Sequence, residues 1–173
     1  MYSRKLQVLW KSKIPLKVRI FLWLCYHDRV QTLDQLSKRG WKGDNVCVLC
    51  GCEETLNHIL FTCHLALFFW LGMKEILSWE RAPISFDDFQ LNWLEQRGSN
   101  DYNFVLFSFA ASVWILWKCR NRMAFDKHFP KQPMEVIFNF MSCLQRWSAL
   151  LNSDDRDKMN CFLMRVENWS KTL

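Results

Sequence analysis

Glycine and proline are scarce in this sequence, five and four among 173 residues. Few positions therefore favour left-handed turns or chain breaks, and long helical elements are expected. The first residues are polar and basic, without the apolar stretch that a secretory signal needs. Secretion is not expected, and an intracellular location, nucleus or cytoplasm, is. The eight cysteines are then expected as reduced thiols or metal ligands rather than disulfides. Long hydrophobic runs are missing too. The most apolar stretch, residues 104–117, has 14 residues including two serines, whereas a membrane span needs about 20. It reads as a central core helix, and no membrane partner is expected. Carboxylates do not converge as two-metal chemistry requires. Asp87-Asp88 and the Asp154-Asp155-Asp157 group each fall where a helix start is expected. No Ser-His-Asp or Cys-His catalytic set is evident, and Cys25 with His27 reads as a core thiol and a helix-end histidine. Catalysis is not expected.

Apolar residues, by contrast, make up half of the chain, with 16% aromatic and ten tryptophans. Such a composition buries a sizeable core and excludes disorder. The net charge of +6 is uneven. Residues 1–43 hold ten basic and two acidic side chains, a net of +8, and the remainder is −2. A basic end on a near-neutral body suits a polyanion, most simply RNA or DNA. Lys11, Lys13, Lys17, Arg19, Lys38, Arg39 and Lys42 are the candidate phosphate contacts. Trp10 and Trp41 are candidates for stacking on bases, although both rings are expected in the core.

One short stretch organises the rest. From Cys47 to Cys63 it reads C-x2-C-x7-H-x4-C. Two cysteines two apart can face one ion from a tight turn, and the following His and Cys approach the H-x3-5-H spacing of zinc modules. Thiolates and imidazole suit tetrahedral Zn2+, and four of them close its shell, which makes the site structural rather than catalytic. Cys47, Cys50, His58 and Cys63 are the preferred ligands. Cys52 could replace Cys50, and His64 could replace His58.

Local signals place these residues. Pro15 breaks the chain and can open a helix over 16–27. Thr32 with Gln35 forms the pattern of a capping box for a helix that Gly40 ends. Residues 41–52 are then a loop carrying the first two ligands. Thr55 caps the next helix, but His58 and Cys63 lie about 140° apart on an ideal one. Either the helix is irregular near Thr62 or His58 sits in an adjustable first turn; the second is the expectation. Residues 80–84 read as a linker, Ser85 with Asp88 opens a helix to about Gln96, and 97–101 reads as a loop. Three helices follow, over 102–122, 134–152 and 155–169.

Taken in order, Trp10-Lys11, the run from Pro15 to Trp23, Asp28-Arg29, Thr32, Leu36, Arg39-Gly40, Glu54-Thr55, the Cys/His ligands and Trp70 resemble a known family. It is the reverse-transcriptase zinc-binding domain of plant non-LTR (LINE-type) retrotransposons, and the resemblance covers roughly residues 4–72. Trp114-Ile-Leu-Trp-Lys118, Arg120-Asn121 and Phe125 resemble the segment that often follows it. The resemblance implies a zinc module downstream of a polymerase and often upstream of an RNase H-like domain. No Tyr-x-Asp-Asp polymerase motif is present. The expectation is a mostly α protein: a zinc-binding domain over 1–78, then a Trp/Phe-rich helical region over 79–173 leading towards an RNase H-like domain that is missing. Its expected role is non-catalytic nucleic-acid binding, with a protein-interaction module or a non-functional element fragment as alternatives.

Overall fold

The computed structural model describes residues 2–94 and 99–172. Among them the helices are α1 (Tyr2–Lys11), α2 (Leu16–Tyr26), α3 (Leu33–Lys38), α4 (His64–Leu77), α5 (Phe86–Phe89), α6 (Ser99–Ala124), α7 (Met134–Trp147) and α8 (Ser153–Ser170). The expected mostly α architecture is what forms. Extended pairing among the described residues is confined to one antiparallel bridge, Val46 with Glu53.

The short helices begin and end where side chains can satisfy their free backbone groups. Ser85 caps α5 by accepting the Asp88 amide at 3.0 Å, and Asn152 caps α8 by accepting the Asp155 amide at 2.8 Å. Gly40, at φ +93°, closes α3 in the left-handed conformation expected of it. There the Gly40 amide donates to Ser37 and the Trp41 amide to Leu36, which occupies two orphan carbonyls. The expected Thr32–Gln35 capping box does not form. The Thr32 side chain caps nothing, and the Gln35 amide donates to Asp28 at 2.8 Å. The Glu54 carboxylate accepts the Leu33 amide instead, at 3.1 Å, from 21 residues away. The expected end of α5 near Gln96 lies outside the described residues, as do Arg97 and Gly98 of the expected loop. Ser99 to Asp101, expected in that loop, are helical.

α6 is the axis of the fold and packs against α2, α7, α8 and the turn at His58–Thr62. From Tyr102 to Ala124 it is long and apolar enough to cross a membrane, longer than the 14-residue stretch suggested, and 61% of its apolar window is buried inside the protein. Phe109, on this helix, stacks on Phe89 at 3.7 Å and lies 6.0 Å from Trp70. Phe140 of α7 meets Phe69 of α4 edge-on at 5.2 Å. Buried side chains thus form one continuous core drawn from both sides of residues 78 and 79.

α8 closes over α4. The Trp169 indole donates to Glu75 at 2.7 Å, and its ring lies where a Cβ on Gly72 would meet it at 2.7 Å. Gly72→Ala adds helix propensity worth roughly 1 kcal/mol but pushes on a ring held at its other end. Overpacking costs about 1–3 kcal/mol, so we expect a net loss of about 1 kcal/mol. Urea unfolding followed by tryptophan fluorescence checks it, and unchanged or raised stability contradicts the packing argument.

Candidate metal centre and the basic surface beside it

The loop before the metal cluster is folded by its own backbone. Cys47 donates its amide to the Cys52 carbonyl at 2.7 Å, and Gly51 donates to the Cys47 carbonyl at 2.8 Å. Gly51 holds φ at +72°, which a glycine adopts without strain. This knuckle turns the Cys47 and Cys50 side chains towards one point.

The other two ligands come from a turn that opens as a helix at Leu56 and Asn57, capped by Thr55 as expected, and then becomes irregular. His58 to Thr62 winds as a π-helical turn, and the Cys63 amide donates to the His58 carbonyl at 2.7 Å, five residues back. The wider turn brings His58 and Cys63 to the same side, which 100° steps do not. Of the two solutions open to the sequence, the irregular turn is therefore the one adopted. Cys63 itself is extended, with ψ 147°, and α4 begins at His64. Two side chains hold the turn: the Thr55 hydroxyl accepts the His58 amide at 3.1 Å, and the buried Trp70 indole donates to the Leu60 carbonyl at 2.7 Å.

The ligand atoms of Cys47, Cys50, His58 and Cys63 all lie within 4.8 Å of one another. Cys47 Sγ is 3.9 Å from Cys63 Sγ, and Cys50 Sγ is 3.2 Å from His58 Nε2. With Zn–S near 2.3 Å, a tetrahedron has edges of about 3.8 Å, so these four residues fit zinc. His58 Nδ1 lies 3.4 Å from the Thr62 hydroxyl, a contact that fixes ring orientation in metal sites. Cys52 and His64 are exposed and outside the cluster.

Charge also favours a cation here. The hydrogen bond from Cys63 holds the Cys47 thiol down to about 4, while that same contact and burial push the Cys63 thiol far up. Two thiolates 3.9 Å apart repel, and a cation held between them offsets that repulsion.

Behind the cluster lies a buried ion pair that sequence reasoning did not assign. Glu54, in the knuckle, and Arg120, on α6, are 0% and 3% exposed. Arg120 Nε donates to Glu54 Oε2 at 3.0 Å, and Nη2 donates to Oε1. Arg120 Nη1 also reaches the Asn121 side chain at 2.9 Å, and the guanidinium lies 5.2 Å from the Trp117 ring and 5.3 Å from Phe125. Since Glu54 also caps α3, one carboxylate ties the knuckle to α3 and α6. Both residues belong to the stretches that carry the resemblance, but nothing in their spacing says that 66 positions apart they meet.

The candidate phosphate contacts fall into two stretches. Lys11, Lys13 and Lys17 are exposed around the α1–α2 corner. Arg19 is half-buried there, with Nη1 donating to the Trp10 carbonyl at 2.6 Å. Lys38, Arg39 and Lys42 are exposed on the way into the knuckle, with Lys38 3.2 Å from Asp34. Trp10 and Trp41, expected in the core, are 41% and 44% exposed. The Trp41 ring lies against Gly43, where a Cβ would come within 2.1 Å of it. The missing side chain at Gly43 seats the indole in the open.

Residues 2–70 match the family described as zinc-binding in reverse transcriptase. Over 139 residues the chain is 28% identical to a protein of Arabidopsis thaliana named as a ribonuclease H protein. That match takes in 70% of this chain and 22% of the relative, so the chain spans about a fifth of the relative's length. No solved structure matches the chain.

Proposed function

We propose, from the match of residues 2–70 to the zinc-binding domain of reverse transcriptases, that this chain is a non-catalytic zinc module that binds nucleic acid. The observation that carries the proposal is a +8 segment leading directly into a closed Cys3His shell. Four protein ligands leave zinc no position for a reactive water, so its work is to hold the knuckle. Lys38, Arg39 and Lys42 present charge to phosphates with little sequence preference. Trp41, seated on Gly43, offers a face for an unpaired base, worth about 1–3 kcal/mol. Ribonuclease H chemistry, in the relative's name, needs carboxylates that converge on metal ions. Here Asp88 is engaged by Arg81 at 2.8 Å and by the Ile84 amide at 3.0 Å. In this reading residues 1–78 carry the function, and residues 79–173 are the helical body on which they fold.

Val46, Val48 and Leu49 are exposed on the knuckle and favour the second reading, docking of a protein partner. Salt separates the two. Phosphate binding weakens steeply as salt rises, whereas apolar docking does not. Reversing Lys38, Arg39 and Lys42 to Glu is expected to weaken binding to RNA and DNA of every sequence about equally. It should also flatten the salt slope by about 2 for single strands, at roughly 0.7 per phosphate contact. Fluorescence anisotropy across a salt series measures both. No nucleic-acid binding by the wild type at low salt, or full binding by the triple variant, hands the site to the protein-docking reading.

A further inference from the structure

Among the described residues, five helices surround a cavity of about 540 Å³, walled by Trp70 of α4, Phe89 of α5, Phe109 of α6, Phe140 of α7 and Phe162 of α8. Close-packed interiors hold few voids larger than a water molecule, whereas ligand pockets measure about 300–1,000 Å³. The walls are braced against collapse, because each ring packs on another. Phe109 stacks on Phe89 at 3.7 Å and lies 6.0 Å from Trp70, and Phe140 meets Phe162 edge-on at 6.2 Å. The Trp70 indole is fixed further by its bond to the Leu60 carbonyl at 2.7 Å. The hollow is therefore formed before anything enters it, which spares a ligand the cost of ordering it.

Two hydroxyl residues of α6, Ser108 and Ser112, interrupt the apolar lining. Ser112 donates to the Ser108 carbonyl at 2.9 Å, a bond that a helical serine commonly makes. The Ser108 hydroxyl is buried and has no hydrogen-bond partner. A buried hydroxyl left unbonded costs free energy, and a ligand oxygen would recover it. The exposed part of the lining belongs to α8, where Asp154, Asp157, Lys158 and Arg165 stand. Two carboxylates and two cations balance, and the Arg165 guanidinium donates to the Ile76 carbonyl. The rim thus selects neither sign of charge, and the interior favours an uncharged molecule.

We propose that this cavity binds a neutral, largely apolar small molecule of the aromatic ketone class, whose oxygen accepts from the Ser108 hydroxyl. The site goes beyond the nucleic-acid reading and does not depend on it.

The test titrates the whole chain, with its zinc, with the neutral naphthyl ketone prodan, whose emission shifts to the blue in apolar surroundings. Saturable one-to-one uptake with that shift is expected. Ser108→Ala should weaken uptake about fivefold, the loss of one hydrogen bond, and should melt no lower than the wild type because it removes an unpaired group. Cys161→Trp, at an exposed position on the lining, should block uptake while the melting temperature holds. Bound prodan should also slow alkylation of Cys161 by iodoacetamide and leave that of exposed Cys52 unchanged, read by peptide mass spectrometry. This readout needs no variant. No saturable uptake by the folded wild type overturns the proposal and leaves the hollow to an apolar group of a protein partner. Uptake that neither depends on residue 161 nor shields the Cys161 thiol lies elsewhere and overturns it too. Equal affinity in Ser108→Ala overturns the hydrogen bond and the ketone class with it.

Discussion

Cys47→Ala is expected to abolish zinc binding and to loosen residues 41–70 while α6 stays protected. Cys47 is buried, lies 3.9 Å from the Cys63 sulfur and donates its amide within the knuckle, so its side chain and its backbone serve the same turn. Removing one of four ligands leaves three, and the remaining thiols lose the cation that offsets their repulsion. Structural zinc contributes on the order of 10 kcal/mol to folding in small finger peptides. Here part of the segment is held in other ways, because Phe61 and Trp70 pack against Phe109 of α6. The loss should therefore be local rather than global. Native mass spectrometry should find one zinc on the wild type and none on Cys47→Ala. Hydrogen exchange should rise across 41–70, both in this variant and on chelation of the wild type. Full zinc occupancy in the variant, or unchanged exchange after chelation, overturns the assignment. Loss of zinc in Cys52→Ala but not in Cys50→Ala would transfer the ligand role to Cys52.

Arg120→Ala should destabilise the protein by about 3–5 kcal/mol, because it strands the Glu54 carboxylate in the interior. Glu54 is fully buried and takes two bonds from Arg120 and one from the Leu33 amide. Without the guanidinium that carboxylate must protonate, admit water or drag the knuckle outward. The melting temperature should fall by on the order of 10 °C for a chain of this size. Pairing Arg120→Met with Glu54→Gln should recover much of the loss. The amide oxygen of the Gln still accepts from Leu33, and no buried charge remains. Thermal unfolding of the wild type, both single variants and the double variant completes the cycle. A loss below about 1 kcal/mol in Arg120→Ala, in the range of exposed pairs, contradicts the coupling. So does a double variant less stable than either single one. The coupling also predicts that Arg120→Ala lowers zinc affinity, although Arg120 is 57 residues beyond Cys63.

What the sequence determined by itself was local. Ligand type and spacing identified Cys47, Cys50, His58 and Cys63, because chemistry and short chain length restrict which groups can meet one ion. Gly40 as a helix stop and Ser85 as a cap were legible for the same reason, each acting on backbone a few residues away. The apolar stretch at 104–117 marked the core helix, though not its full length. Tertiary structure decided what depends on distant partners. Trp70, eight residues beyond Thr62, supports the π-helical turn that brings His58 and Cys63 together. The turn was therefore an open choice in sequence and a settled one in the fold. Thr32 and Gln35 had the pattern of a capping box, yet the Gln35 side chain turns to Asp28, and Glu54, anchored by Arg120, accepts the Leu33 amide at the start of the helix. Trp10 and Trp41 were expected inside because aromatic rings usually are. They lie outside because an arginine holds the backbone at one and a glycine seats the ring of the other.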